Sequence, residues 1–180
     1  LEIGPGLGTL TSVLLASAGK VVAVEFDEQI AKKLPKQFPG KNLTVYHSDI
    51  LSFDLTLIPE NYKVVANIPY YITGKIIQLL LNAKNKPVVT TLLVQKEVAE
   101  RLAAQPGEMS IMAISAQIFA EVSLGDIVPA DFFAPPPKVD SRVVTLKTRQ
   151  QPLVDEARQK MFFRLVKAGF SAKRKKLRSS

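Results

Sequence analysis

The sequence predicts an α/β fold in which a parallel sheet is covered by helices on both faces. Short runs rich in β-branched residues alternate with segments of helical spacing over the first hundred residues, as in strands joined by crossover helices. Three closely spaced glycines follow the first strand end and precede the first helix. After Gly107 two strand candidates are separated only by a loop, so they can pair antiparallel at a sheet edge.

The elements follow from these patterns in chain order. Strands are predicted at 20–25, 43–47, 63–66 and 88–94, and helices at 7–18, 27–36, 73–83, 96–104 and 109–117. Asp27 is a suitable N-cap for the second helix. Two further strands are predicted at 120–129 and 141–148, joined by a loop whose three consecutive prolines keep it extended. The last helix, 152–168, carries one apolar side formed by Leu153, Ala157, Met161, Leu165 and Ala168.

Composition limits the classes of protein that this chain can be. The 180 residues include no cysteine and one histidine, which excludes disulfides, thiolate metal sites and histidine-rich metal sites, and we expect no metal. No apolar run approaches the roughly 18 residues of a membrane span, so we expect no membrane association and a cytoplasmic location. The chain begins with "LEIGPG", a strand already under way, and we expect a piece of a longer protein.

The positive charge is concentrated in the last part of the chain. Residues 1–140 contain 12 basic and 14 acidic residues, whereas residues 141–180 contain 12 basic and 2 acidic residues. A basic segment beside a nearly neutral domain favours a polyanionic partner such as nucleic acid. A solvated helix face with a charged tail is the alternative.

The glycine segment "EIGPGLGTLT" is the first candidate binding site. Gly4, Gly6 and Gly8 stand where a tight turn is needed and where a ligand can approach the backbone closely. The spacing G-x-G-x-G differs from the dinucleotide fingerprint, and the Gly-Lys-Ser/Thr ending of a phosphate-binding loop is absent. The pattern favours a nucleotide-like cofactor over a simple strand–helix turn.

Two acidic residues follow the next two predicted strands. Glu25 comes 21 residues after Gly4, a spacing at which a carboxylate can accept from both ribose hydroxyls of an adenosine. Its alternative is a solvated carboxylate at a strand end. Asp49 lies at the rim of the same crevice and can accept from an adenine amino group. His47 is interpreted as structural.

The segment "VVANIPYYITG" places polar and aromatic groups at the end of the fourth strand. Pro69 favours an extended Ile68, so the Ile68 carbonyl and the Asn67 side-chain oxygen are two acceptors that converge on one point. Tyr70 adds a flat face. Two acceptors and a ring suit the exocyclic amine of a planar base, whose developing positive charge they would stabilise during attack on a carbon electrophile. A turn that happens to carry a tyrosine is the alternative.

Six segments together resemble a known enzyme family. "EIGPGLG", "VVAVEFD", "HSDIL", "ANIPYYIT", "VQKEVAERL" and "FFAPPPKVDSRVV" are similar, in this order, to the S-adenosylmethionine-dependent ribosomal RNA adenine dimethyltransferases. The resemblance covers nearly the whole chain and is stronger to the housekeeping small-subunit branch than to the macrolide-resistance branch. It implies a Rossmann-like class I S-adenosylmethionine-dependent methyltransferase fold. That fold has a mostly parallel seven-strand sheet with an antiparallel edge strand.

The resemblance also implies a reaction and its residues. The reaction is dimethylation of two adjacent adenines in a hairpin loop near the 3′ end of 16S rRNA, by a monomer. Asn67, Tyr70 and Phe133 would hold the target adenine, with Phe133 stacking on it. The alternative for Phe133 is a core phenylalanine, which is the role that we expect of its neighbour Phe132. The cofactor S-adenosylmethionine would contact the residues Gly4, Gly6, Glu25, Phe26, Asp49, Ile50 and Asn67.

The division of the chain and its RNA contacts follow from the same resemblance and from the charge. Residues 1–150 are expected to form the catalytic domain, without the family's N-terminal motif. Residues 151–180 are expected to form a helix and basic segment before a C-terminal helical domain. The candidate RNA contacts are Lys138, Arg142, Lys173, Arg174, Lys175, Lys176 and Arg178. The alternatives are a large-subunit rRNA methylase and a ribosome-assembly or transcription factor that has lost catalysis.

Overall fold

A computed structural model describes residues 1–171 and shows a single seven-stranded sheet. The strands are β1 Glu2–Ile3, β2 Val21–Glu25, β3 Leu43–His47, β4 Lys63–Asn67, β5 Val89–Gln95, β6 Ala120–Val128 and β7 Ser141–Thr148. Their order is β3-β2-β1-β4-β5-β7-β6. The first five strands pair in parallel, and β7 pairs antiparallel with both β5 and β6. The reversed strand therefore lies one place inside the edge.

Residues 1–171 contain six α-helices, of which the first five lie between strands and the last follows β7. They are α1 Thr9–Ser17, α2 Glu28–Gln37, α3 Thr73–Asn82, α4 Lys96–Leu102, α5 Ile111–Gln117 and α6 Glu156–Ser171. Asp27 caps α2 as predicted, because its side chain accepts from the amides of Gln29 at 2.8 Å and Ile30 at 3.0 Å. No described helix is long and apolar enough to cross a membrane.

The core lies between the sheet and its helices. All five residues of β2 are buried, as expected for a parallel strand covered on both faces. In β5 fully and partly buried residues alternate, so one face of this strand packs more completely than the other. Ile68, Ile76, Leu80, Leu92 and Leu102 are among the large side chains that are fully buried.

The last helix differs from its prediction in start and orientation. It begins at Glu156, four residues later than predicted, and it packs through Phe163, whose ring stacks on Phe119 at a centroid distance of 6.5 Å. Met161 and Leu165, from the apolar side predicted by spacing, are exposed. The two phenylalanines Phe162 and Phe163 offer more apolar area to the core than the aliphatic side does, and they decide which side packs.

Candidate active site

The polar residues singled out in the sequence meet at one edge of the sheet. β1, β2, β3 and β4 are neighbours and run in parallel, so their carboxyl ends lie side by side. The glycine segment follows β1 and Asp49 follows β3, whereas Glu25 and Asn67 are the last residues of β2 and β4. Open α/β sheets bind ligands at this edge. The topology therefore brings together residues as far apart in the chain as Gly4 and Asn67.

The glycine segment forms an open cradle beside β2. Gly4 has φ +65 and Gly6 has φ +53, a backbone conformation that favours glycine, and a Cβ at either position would meet no atom within 4 Å. The amide of Gly4 donates to the carbonyl of Val24 at 2.9 Å, which ties the segment to β2. A ligand can therefore contact this backbone directly.

Glu25 is fixed at the side of the cradle by two backbone amides. Its Oε2 accepts from the amide of Gly6 at 3.1 Å, and its Oε1 accepts from the amide of Asp27 at 2.9 Å. The side chain is buried. A carboxylate oxygen has two lone pairs, so each oxygen can still accept one hydroxyl hydrogen. This geometry suits a diol such as a ribose.

Glu2 is a polar residue of the site to which the sequence reasoning gave no role. It is 1% exposed, and its Oε2 accepts from the hydroxyl of Thr11 at 2.7 Å. Its Oε1 has no hydrogen-bond partner among residues 1–171. Burial raises the pKa of this carboxyl above its ordinary value. The signal in the sequence was an acidic residue in a buried strand, two positions before the first glycine.

The third strand end carries the other predicted cofactor contacts. Asp49 is exposed, and its Oδ1 accepts from the amide of Leu51 at 2.9 Å, which leaves its second oxygen open. The Nε2 of His47 lies 3.1 Å from the carbonyl oxygen of Phe26, in agreement with a structural role. Phe26 is 75% exposed, whereas Ile50 is buried and packs in the core cluster.

Asn67 and Tyr70 lie where the sequence placed them, at the end of β4. The Asn67 side chain is exposed, and no residue of the described part of the chain donates to it or to the Ile68 carbonyl. Tyr70 is half-buried, and its hydroxyl forms a 2.7 Å hydrogen bond with the hydroxyl of Ser141 at the start of β7. This bond fixes the ring against the next segment of the site.

The proline-rich loop between β6 and β7 carries the two phenylalanines. Phe133, which is predicted to stack on the target adenine, is half-buried. Phe132 was expected in the core, and this prediction is wrong, because its side chain is 80% exposed. The reason is local, since Phe132 lies in the 3₁₀ turn Ala130–Phe132, which holds its backbone at the surface.

The predicted RNA contacts differ in how available their charged groups are to a phosphate. Lys138 is exposed in the loop before β7. Arg142 is half-buried, with Nε donating to the carbonyl of Gly125 at 3.1 Å and an Nη donating to the Glu100 carboxylate at 3.2 Å. These bonds compete with any phosphate for the guanidinium. The cluster Lys173, Arg174, Lys175, Lys176 and Arg178 lies outside the described residues.

A separate groove of about 1020 Å³ runs between α3, α5 and α6. Of the described site residues only Tyr70 lines this groove. The lining is mostly apolar, with Ile77, Met112 and Phe163 among the residues. The cradle and Glu25 are not part of it. The candidate site is therefore an open crevice at the sheet edge rather than this groove.

Comparison with known proteins identifies the family. The family model of the ribosomal RNA adenine dimethylases matches residues 1–180. The chain belongs to this family. The protein named ribosomal RNA small subunit methyltransferase A in Dehalococcoides mccartyi is 40% identical over 181 residues, covering 98% of this chain and 62% of the relative. The protein of the same name in Enterococcus faecalis is 40% identical over 187 residues, covering 98% and 63%. The chain thus spans less than two thirds of these relatives.

Solved structures of dimethylase-like enzymes show the same fold. A dimethyladenosine transferase from Plasmodium falciparum superposes with a TM-score of 0.86 at 32% identity, covering 99% of this chain and 65% of that one. The 23S rRNA methyltransferase ErmE superposes with a TM-score of 0.82 at 31% identity, covering 95% and 69%. The Rossmann-like class I methyltransferase fold expected from the sequence is confirmed.

Proposed function

We propose that the full-length protein transfers methyl groups from S-adenosylmethionine to N6 of two adjacent adenines in the 3′-terminal hairpin loop of 16S rRNA. The observation that carries this proposal is that Asn67 and Tyr70 share one sheet edge with Glu25 and the glycine cradle. The relatives named as small-subunit methyltransferases support the choice of RNA. In this proposal the enzyme is a cytoplasmic monomer, with residues 1–150 as its catalytic domain and 151–180 as helix and basic segment.

The residues of the crevice fit S-adenosylmethionine in three respects. Glu2 has a buried oxygen without a partner among residues 1–171, which an ammonium group can satisfy directly or through water. The cradle at Gly4 and Gly6 is open to a ligand's close approach. Glu25 presents a carboxylate already oriented for two hydroxyls. When bound, this cofactor supplies an electrophilic methyl group.

The target base would be held by acceptors and by rings. The Asn67 side-chain oxygen and the Ile68 carbonyl accept from the two hydrogens of the adenine amine and direct its lone pair towards the crevice. As nitrogen gains positive charge in the transition state, these two dipoles become more favourable, which lowers the barrier. The proton leaves to solvent afterwards. Tyr70 and Phe133 are the walls that hold the flipped base.

The test is to map the methylated nucleotide. The full-length protein is incubated with radiolabelled S-adenosylmethionine and small subunits that lack the modification, and the labelled position is located by primer extension. Label on two adjacent adenines near the 3′ end of 16S rRNA is the expected result. Absence of label from small-subunit RNA would contradict the proposal.

The likeness to a 23S rRNA methyltransferase makes a large-subunit substrate the second candidate function. The two candidates share the cofactor site and the amine clamp, which is formed by the Asn67 side-chain oxygen and the Ile68 carbonyl. They differ in the RNA that they methylate. Offering both purified subunits in one reaction decides between them, because only one of the two rRNAs then carries the label.

A further inference from the structure

Three aromatic side chains in the described part of the chain are exposed by three quarters or more. They are Phe26 at 75%, Tyr71 at 86% and Phe132 at 80%. Phe26 is a predicted cofactor contact, and Tyr71 lines the groove between α3, α5 and α6. No role has been assigned to Phe132. An exposed phenylalanine forgoes the stabilisation that burial of its ring would give, so its position in the fold is not explained by packing.

The turn that carries Phe132 is held firmly from both ends. The amide of Phe132 donates to the carbonyl of Pro129 at 3.1 Å, and the amide of Phe133 donates to the carbonyl of Ala130 at 3.1 Å. The amide of Ala130 donates to Oδ1 of Asp140 at 3.0 Å, which closes the loop across its base. The carbonyl of Asp140 in turn accepts from the amide of Lys96 at 3.0 Å. The backbone that presents the ring is thus ordered before any ligand binds, which lowers the entropic cost of a contact.

We propose that Phe132 stacks on the nucleotide next to the target adenine. The inference rests on the proposed function, in which the neighbouring Phe133 is a wall of the slot for the flipped base. Consecutive Cα atoms are about 3.8 Å apart, so a ring beside Phe133 is within reach of a base adjacent to the one in the slot. A flipped base leaves its neighbour without a stacking partner on one side, and an exposed ring replaces it.

The charge beside Phe132 favours a base rather than a phosphate at this place. Asp131 is exposed in the same turn, and its carboxylate repels the RNA backbone. Stacking on an aromatic face needs no charge and tolerates every base. Because the substrate has two adjacent adenines, the second adenine occupies this position while the first is methylated.

The experiment uses a hairpin RNA in which 2-aminopurine replaces one of the two adenines. This base lacks the 6-amino group that Asn67 holds, so it stays beside the slot, and its fluorescence falls when it stacks. With the full-length protein we expect quenching on binding, and Phe132→Leu should lose most of that quenching. The dissociation constant should rise about 5- to 100-fold, as for loss of one stacked base, with an unchanged salt dependence. Phe132→Trp should restore both signals.

A matched control comes from the opposite end of the sheet. Leu57 is an exposed apolar residue in the 3₁₀ turn that precedes β4, and Leu57→Ala should alter neither fluorescence nor affinity. If Phe132→Leu quenches the 2-aminopurine fluorescence as strongly as wild-type protein does, the inference is overturned. A lower melting temperature in Phe132→Leu but not in Leu57→Ala would also overturn it, since the ring would then pack within the protein. Loss of binding to whole subunits with the hairpin unaffected would assign the ring to a ribosomal protein instead.

The same samples separate this inference from the proposed function. If wild-type protein methylates small subunits and Phe132→Leu behaves as wild type on the hairpin, only the stacking inference fails. If wild-type protein methylates neither rRNA while the quenching still depends on Phe132, the base contact stands and the proposed reaction fails.

Discussion

Asn67 is the residue on which the proposed chemistry depends most directly. Its side chain is exposed at the end of β4 and makes no hydrogen bond within residues 1–171, so its removal should leave the fold unchanged. Asn67→Ala should lower the single-turnover rate about 10- to 100-fold, the equivalent of one lost hydrogen bond to a charged group. Affinity for RNA should change little. Asn82→Ala, at the far end of α3, is the control, and a rate insensitive to Asn67→Ala would contradict the amine clamp.

In the proposed function, Glu25 binds the cofactor rather than the base. Glu25→Gln keeps the shape of the side chain, but its NH2 group must face the amide of either Gly6 or Asp27, which are both donors. Calorimetric titration with S-adenosylmethionine should show a dissociation constant about 10- to 100-fold higher. Glu28→Gln removes an exposed carboxylate from the next helix and should leave the affinity as it is. Unchanged affinity in Glu25→Gln would remove Glu25 from the site.

Glu2 makes the stability of the ligand-free protein depend on pH. Burial raises its pKa above the ordinary 4.5, and the hydrogen bond from Thr11 opposes this only in part. Between 4.5 and the raised pKa, the folded protein keeps a proton that the unfolded chain has lost. The free energy of unfolding contributed by this group therefore falls as pH rises through that window.

Replacement of Glu2 by glutamine isolates this effect. Glu2→Gln cannot titrate, and its amide oxygen can still accept from Thr11. Denaturant unfolding from pH 4 to pH 8 should show the variant gaining stability relative to wild type as pH rises, and then a constant difference. A difference that is independent of pH would mean that the pKa of Glu2 is the same in the folded and the unfolded protein.

At the scale of elements, the junction of β1 and α1 depends on Gly8. This residue caps α1 in the left-handed region at φ 86, and a Cβ there would lie 2.8 Å from Cδ1 of Leu34 and 3.1 Å from Cε2 of Phe38. Gly8→Ala should therefore lower the free energy of unfolding by about 1–3 kcal/mol, measured by denaturant titration. Gly19→Ala, where a Cβ would meet nothing within 4 Å, should change it by a few tenths at most.

Most elements could be predicted because local pattern and tertiary packing agree in them. β3 and β7 lie at the predicted residues, since β-branched runs fit a pleated, buried surface whichever neighbour they have. The site could be predicted for a related reason, as parallel topology brings successive strand ends together. The predictions that were wrong, the burial of Phe132 and the packed side of α6, concern which of two similar apolar groups is buried.

Phe132 and Phe133 illustrate that limit. The two residues are chemically identical and adjacent, so composition and spacing cannot show that Phe133 is more buried than Phe132. The hydrogen bonds of the turn Ala130–Phe132 make the choice. The same holds for α6. Spacing predicts one apolar side, which includes Met161 and Leu165, but the structure covers a different side by stacking Phe163 on Phe119.

The whole molecule has an uneven distribution of charge that bears on RNA binding. Residues 1–140 have 12 basic and 14 acidic side chains, so this part of the chain offers little net attraction to a polyanion. Arg142 is already engaged by Glu100 at 3.2 Å. We therefore assign the main phosphate contacts to the basic cluster formed by Lys173, Arg174, Lys175, Lys176 and Arg178, which lies outside the described residues.

Neutralising the basic cluster should weaken RNA binding for any sequence and flatten its salt dependence. Each phosphate contact with single-stranded RNA contributes about 0.7 to the slope of log K against log salt, because its counterions are released on binding. Replacing the five residues by glutamine in the full-length protein should lower the slope accordingly, measured by fluorescence anisotropy between 50 and 200 mM salt. Methylation at saturating RNA should persist, since no residue of the cluster belongs to the amine clamp.

A control with the same number of charges distinguishes specific contacts from net charge. The control residues are Lys32, Lys33 and Lys36 on α2, Lys20 directly before β2 and Lys41 shortly before β3. Lys32 is paired with Glu28. Replacement of these five lysines by glutamine lowers the net charge equally but should leave the salt slope unchanged. An equal loss of slope in both variants would show that the protein attracts RNA through its overall field. A wild-type slope in the cluster variant would show instead that the phosphates are held by other parts of the protein, with the cluster as a solvated tail.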